Sequence, residues 1–161
     1  MKNSIVYLLA YLCMGVFSAK AQQKFPNGEL ISSWFSDAKL VDVNSLGKKY
    51  KITDYGVISD STVIQTKKIQ EVIDKAYQDG GSVIVVPKGV YLSGSLFFKP
   101  KTHLHLEEGG VLKGSDDISN FDLVMTRMEG QTLKYFAALV NADEVDGFTV
   151  TGKGMLDGNG L

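Results

Sequence analysis

The sequence predicts an all-β protein built as a parallel β-helix, a solenoid of short strands entered through one capping α-helix. Two stretches predict it. Gly80 to Gly114, GGSVIVVPKGVYLSGSLFFKPKTHLHLEEGGVLKG, holds five strand-like runs of two to four residues (Val83–Val86, Val90–Leu92, Leu96–Phe98, His103–Leu106 and Val111–Leu112) separated by Gly, Pro or Lys. Immediately before it, Val63, Ile64, Ile69, Val72, Ile73, Ala76 and Tyr77 recur at spacings of three and four, the pattern of one amphipathic helix.

The runs are too short for a sandwich of hairpins, and no Asn-Gly or Asp-Gly pair stands between them to make a two-residue hairpin turn. A solenoid accommodates them, because each coil supplies two or three short strands that pair with the coils above and below and the connections are bends. Within His103–Leu106, Leu104 and Leu106 are expected to point inward and His103 and His105 outward. An antiparallel or α/β domain with irregular strands is the competing arrangement.

Residues 1–21 read as a secretory signal peptide. Lys2 precedes a 13-residue apolar run, Ile5–Phe17, and Ala19-Lys20-Ala21 offers a cleavage site, so the exported chain begins at Gln22. The run is short of the roughly 20 residues a membrane span needs, so no membrane association is expected after cleavage. A lipoprotein anchored at Cys13 fits less well, because Cys13 lies inside the apolar run. Cleavage removes this single cysteine, and with it any disulfide or thiol nucleophile. Losing Lys2 and Lys20 leaves 15 basic against 18 acidic residues, a net charge of −3. Such a balance, with no basic stripe, argues against nucleic acid or an anionic membrane as partner.

Residues 22–49 read as an N-terminal arm, with Trp34 and Phe35 side by side to anchor it. Tyr50–Val57 is expected to open the β-helix domain, 50–161, as a strand closed by a turn at Asp54-Tyr55-Gly56. Asp60, Ser61 or Thr62 is the expected helix N-cap, and Asp79-Gly80-Gly81 the stop. The helix is placed to plug the first rung, whose apolar interior and strand edges would otherwise face water. Ser115–Lys134 breaks the pattern and reads as a loop or a long excursion from the coil. Strand character returns at Ala138–Asn141, Phe148–Thr151 and Met155–Leu156, and the sequence stops in mid pattern at Gly158-Asn159-Gly160-Leu161, so the expectation is an N-terminal portion of a longer protein.

From Tyr50 onward the motifs resemble the N-terminal region of the family 28 glycoside hydrolases, the polygalacturonase family. Asp54-Tyr55-Gly56-Val57 with Asp60-Ser61-Thr62 resembles that family's D-Y-G-A … D-x-T. Gly80-Gly81 through Pro87-Lys88-Gly89-Val90-Tyr91 resembles its G-G-x-V-x-x-P-x-G-x-Y, and Leu104-His105-Leu106 to Gly109 its L-x-L-x-x-G. Val150-Thr151-Gly152-Lys153-Gly154-Met155-Leu156-Asp157-Gly158-Asn159-Gly160 resembles its I-x-G-x-G-x-I-D-G-x-G. The resemblance implies a right-handed β-helix, a pectic polysaccharide or oligogalacturonide substrate, and inverting hydrolysis of α-1,4 galacturonosyl bonds without a cofactor or metal.

The family's N-T-D, G-H-G and R-I-K motifs do not occur here, so its catalytic residues are expected downstream of Leu161 and this stretch alone is expected to be inactive. Asp116 and Asp117 imitate the family's G-x-D-D but precede the I-D-G-x-G block, whereas the catalytic pair follows it; they read as loop carboxylates capping a turn at Ile118–Phe121. His103 and His105 would hold zinc only with further ligands nearby, and with Glu107 and Glu108 they read as solvated surface. Asp157 reads as a turn-forming carboxylate. Arg127 and Lys134, in that excursion, are the candidates for touching an acidic sugar, with plain surface charge as the competing reading. Two alternatives remain at this level: a calcium-dependent polysaccharide lyase on the same scaffold, and a non-catalytic β-helix adhesin or carbohydrate-binding protein.

Overall fold

The computed structural model describes residues 24–32, Phe35 and 41–160; the expected signal peptide with Cys13, and Trp34, lie outside them. Two compact units are distinguished, Met1–Leu40 and Val41–Leu161. In the first, the described residues form a tight turn. Lys24 and Leu30 make an antiparallel bridge, the Asn27 side chain accepts from the Glu29 amide at 3.1 Å, and the rings of Phe25 and Phe35 meet edge to face at 6.1 Å.

The second unit winds twelve strands and one helix: β1 (Lys49–Lys51), β2 (Asp60–Ile64), α1 (Thr66–Gln78), β3 (Ser82–Val86), β4 (Gly89–Ser93), β5 (Leu96–Phe97), β6 (Thr102–Leu106), β7 (Gly110–Gly114), β8 (Leu123–Met128), β9 (Gln131–Phe136), β10 (Val140–Asn141), β11 (Val150–Gly152) and β12 (Met155–Asp157). Three parallel walls result, in the orders β1-β3-β6-β11, β2-β4-β7-β12 and β5-β10. All five runs between Gly80 and Gly114 are strands. Ser82 pairs with Thr102, so one coil takes twenty residues here.

In-register stacking builds the core as columns. Tyr50, Ile84, Leu104 and Val150 follow one another on the first wall, and Tyr91, Leu112 and Leu156 on the second. The alternation expected in β6 is present: Leu104 and Leu106 are buried and His103 and His105 half-exposed. Ile84, Leu104 and Leu112 are fully buried between apolar residues one rung away, and burying such a side chain contributes about 1.5–3 kcal/mol, whereas Val150 and Leu156 on the last rung are 47% and 44% exposed.

The helix begins later than its apolar spacing suggests. Asp60–Ile64, expected to cap and start it, is strand β2 beside β4. The β-branched pair Val63-Ile64 favours the extended wall, and the Asp60 carboxylate accepts from the amide and hydroxyl of Thr62, each at 2.7 Å, within the strand. Gln65 takes the N-cap position, but its side chain turns away to bond both backbone groups of Ile58, at 2.8 and 2.6 Å. From Thr66 on the helix plugs the coil as expected. Ile69, Val72, Ile73 and Ala76 enter the same core cluster as Ile84, Leu96 and Leu104, while Tyr77 stays 45% exposed.

The plug also completes a missing edge. The first two walls extend one rung lower through β1 and β2, whereas among the described residues the third has no strand beneath β5. Gln70 stands in that place: its amide accepts from Phe97 N at 2.9 Å and donates to Phe97 O at 3.0 Å, as a neighbouring strand would.

Ser115–Lys134, expected as a loop or a long excursion from the coil, carries most of an antiparallel hairpin, β8–β9, that stands apart from the walls. Its turn residues Glu129 and Gly130 both have positive φ, 49° and 86°, the requirement of the tight turn that follows strand twist. Glu-Gly lacks the Asn or Asp that would have marked it.

Candidate functional site

The third wall is where helix, coil and hairpin converge. Leu96 points into the core and Phe97 out, in line with Asn141 on β10. Phe97 and Ser95 floor a groove of about 430 Å³. Helix α1 forms one side with Thr66, Gln70, Glu71 and Asp74, and Asp122, at the foot of the hairpin, forms the other.

Several of these groups are pinned. Thr66 Oγ1 accepts from Gly94 N at 2.7 Å, and Ser95 Oγ accepts from Asp122 N at 3.2 Å, tying the hairpin's foot to the coil. Asp74 takes a 2.8 Å ion pair from Lys99 and a 3.0 Å hydrogen bond from Gln70. Burial opposes the charge on Asp74, but the bonds from Lys99 and Gln70 outweigh it and hold the carboxyl below the usual range.

On the hairpin, Arg127 lies opposite Thr132 and Lys134 opposite Met125. Cross-strand partners share a face, so both cations stand on one side of the hairpin as diagonal neighbours, roughly 7–8 Å apart at the backbone. Leu123 and Phe136 pair at the base of that face. Its apolar members are solvent-facing, Met125 at 61% and Leu123 at 58% exposure.

The other singled-out residues go elsewhere. Asp117 accepts from Ser119 N at 2.9 Å and caps the short turn Ile118–Asn120, as expected; the Ser119 side-chain and backbone hydrogen bonds lower its pKa. Asp116 is exposed beside it. Asp157 accepts from Asn159 N at 2.8 Å, a turn-forming role. His105 Nδ1 lies 2.8 Å from Thr151 Oγ1, and His105 lines a shallow groove with Glu107, Glu108 and Lys153. His103 Nδ1 is buried and meets no hydrogen-bond partner among the described residues; burial pushes its pKa down. Among the described residues no three metal-ligating side chains converge.

Sequence reasoning named the two cations of the hairpin, which the register places on one face, but did not single out the groove beside the hairpin's foot. Gln70, Glu71, Phe97 and Asp122 stand in no motif. What unites them is the coil register, together with a helix that substitutes for a strand.

No family model matches the chain. The exo-poly-α-D-galacturonosidase of Dickeya chrysanthemi is 31% identical over 133 residues, which are 78% of this chain and 22% of that protein. The hyperthermoactive exopolygalacturonase of Thermotoga maritima superposes with a TM-score of 0.64 at 28% identity, over 75% of this chain and 26% of that one. The family 28 exopolygalacturonase of Yersinia enterocolitica gives 0.63 at 30% identity, over 71% and 21%.

This chain is a relative of the family 28 exopolygalacturonases. Like those structures it is a right-handed parallel β-helix. It spans between about a fifth and a quarter of the length of these three proteins. Among the described residues no helix is long and apolar enough to cross a membrane.

Proposed function

We propose that the chain is the scaffold end of an exported pectin hydrolase: residues 1–21 direct export, 22–49 form an arm, and 50–161 provide the capped first coils on which a catalytic cleft is built. The protein containing it would cleave α-1,4 galacturonosyl bonds with inversion. The observation that carries this reading is the superposition of the coil stack on two exopolygalacturonases at TM-scores of 0.64 and 0.63.

Inversion needs a carboxylic acid at the leaving oxygen and a carboxylate that activates water on the opposite face, about 6.5–9.5 Å apart. Stacked rungs about 4.8 Å apart deliver such pairs at a spacing of one or two coils. Asp117 and Asp157 are spent on turns, and Asp116 stands beside the first of them. The reading therefore assigns the acid and base to coils outside residues 1–161, and catalytic silence to this stretch alone. Arg127 and Lys134 would contact the carboxylates of bound uronate units.

Proton NMR of trigalacturonate incubated with the protein that contains this chain tests the reading. A new reducing end released first as the β-anomer supports an inverting hydrolase. An unsaturated uronate product would mark a lyase, and an unchanged substrate a non-catalytic β-helix.

A further inference from the structure

Strands β8 and β9 pair with each other and with no wall of the coil, so each leaves one long edge open. The alternation of an antiparallel ladder decides which backbone groups point to that edge. Ala137 N donates to Asp122 O at 2.8 Å, and the register that pairs Leu123 with Phe136 sets those two residues opposite each other. The hydrogen-bonded pairs are therefore Asp122 with Ala137, Val124 with Tyr135, Thr126 with Leu133, and Met128 with Gln131, which closes the turn. Leu123, Met125 and Arg127 fall at the alternate positions, so their N–H and C=O groups turn outward on β8. Among the described residues no second strand meets that edge. Nor does β8 carry the usual protections of an open edge. Its six residues, LVMTRM, include no proline and a single charge, and its register runs without a bulge.

We propose that the outer edge of β8 is a dimer interface, which pairs antiparallel with β8 of a second copy of this chain about a two-fold axis at Met125. In that register Met125 lies opposite Met125 of the second copy and Leu123 opposite its Arg127, so every outward N–H of the strand meets an outward C=O. The contact also gathers apolar surface that now faces water. Leu123 and Met125 are 58% and 61% exposed, and Leu123 lies along the aliphatic stem of the facing Arg127. Charge chooses between the two open edges. On β8 the one charged residue, Arg127, faces Leu123, and the two Arg127 side chains stand at opposite ends of the contact. On β9 the corresponding two-fold register, about Lys134, sets one ammonium directly opposite another, which is destabilising. The product is a four-stranded antiparallel sheet, β9-β8-β8-β9, spanning the two copies, and it relieves the marginal stability of an isolated two-stranded ribbon. The inference is independent of the hydrolase reading, since it uses only the hairpin and its register.

The test uses the protein that contains this chain. A single added strand pair is a small interface, under about 1,200 Å², so the dimer is expected to be reversible. Sedimentation velocity over about a hundredfold range of concentration should show its fraction rising. Met125→Lys places like charges at the two-fold axis and should weaken the dimer by about tenfold or more. Lys134→Gln, on the other edge, should leave it unchanged. Met125→Cys reads the register directly. Its two thiols stand on a hydrogen-bonded pair with Cα atoms about 5.5 Å apart, inside the disulfide range of about 4.4–6.8 Å. Mild oxidation should therefore link the copies through residue 125, identified by mass spectrometry of the joined peptides. Val124→Cys, whose counterpart is displaced along the strand, should not link. A protein monomeric at every concentration overturns the proposal, as does a dimer that Met125→Lys leaves intact. Linkage of Val124→Cys or Lys134→Cys in place of Met125→Cys overturns it too, because the contact would then use another register or the other edge.

Discussion

Strand β3 and hairpin strand β8 are of similar length, five and six residues, yet they are held quite differently. β3 pairs on both edges, with β1 and β6, and all five of its residues are buried. β8 pairs only with β9 and has no fully buried residue. In the coil, the buried side chains of β3 have a rung on either side, so stability is shared along columns. In the hairpin, pairing is local and the side chains are turned to water, which leaves them available for contact with something else. The difference separates scaffold from recognition surface, and it can be tested position by position.

The largest expected effect lies in the columns. Leu104, 1% exposed between Ile84 and Val150, should lose about 2–5 kcal/mol of stability as Leu104→Ala, the range for a large-to-small change in a packed core. Met125→Ala, at 61% exposure on the hairpin, should stay within about 0.5 kcal/mol. Urea unfolding of both variants checks this. Comparable losses would mean that the hairpin is part of the core and that the division drawn here is wrong.

A glycine pair gives the next contrast. At Gly81 (φ +101°) an added Cβ would lie 2.4 Å from Lys101 Cβ and 2.6 Å from Lys101 O, whereas at Gly130 (φ +86°) it would meet nothing within 4 Å. Both substitutions carry the left-handed backbone penalty of about 1–2 kcal/mol, but Gly81→Ala must also displace a coil. Thermal unfolding should therefore show a clearly larger loss for Gly81→Ala, and equal losses would remove the close packing inferred at that corner.

Acid should act on the coil before it acts on the turns. Burial lowers the pKa of His103, so in the fold it lies below the ordinary value of about 6.5. Its contribution is intact above that value and is lost as pH falls through it, because the unfolded chain takes the proton more readily. Asp117 behaves at lower pH. Its pKa is depressed, so its contribution is present above the ordinary carboxylate value and disappears as pH falls through the folded value. Stability measured from pH 8 to 5 should decline less in His103→Leu than in the unaltered protein. An unchanged slope would show that the buried Nδ1 face is hydrated.

How much of this was legible in the sequence follows the same division. The Leu104 and Leu106 alternation, the glycine corners and the five runs were readable because coil packing repeats locally. The start of α1 was misread because Val63 and Ile64 satisfy a helical spacing and a β-branched strand equally well, and only pairing with β4 decides between them. Arg127 and Lys134 could be named from charge alone, but their shared face could not, since it depends on the β8–β9 register. The Phe97 groove was not legible at all, because Gln70 serves there as a surrogate strand and no sequence motif marks that use.

The smallest expected effect sharpens the comparison most narrowly. Glu129 holds φ at 49° in the hairpin turn, a conformation in which Asn is better accommodated than Glu. Glu129→Asn should stabilise the turn by a few tenths to about 1 kcal/mol. Because the hairpin pairs with no wall of the solenoid, that gain should stay local. Amide exchange at Arg127, Met128 and Gln131 should slow, while the exchange of Ile84, Val85 and Leu104 and the global unfolding midpoint stay fixed. A rise in the midpoint matching the local gain would show that hairpin and coil unfold together, and the hairpin would then have to be counted as part of the scaffold.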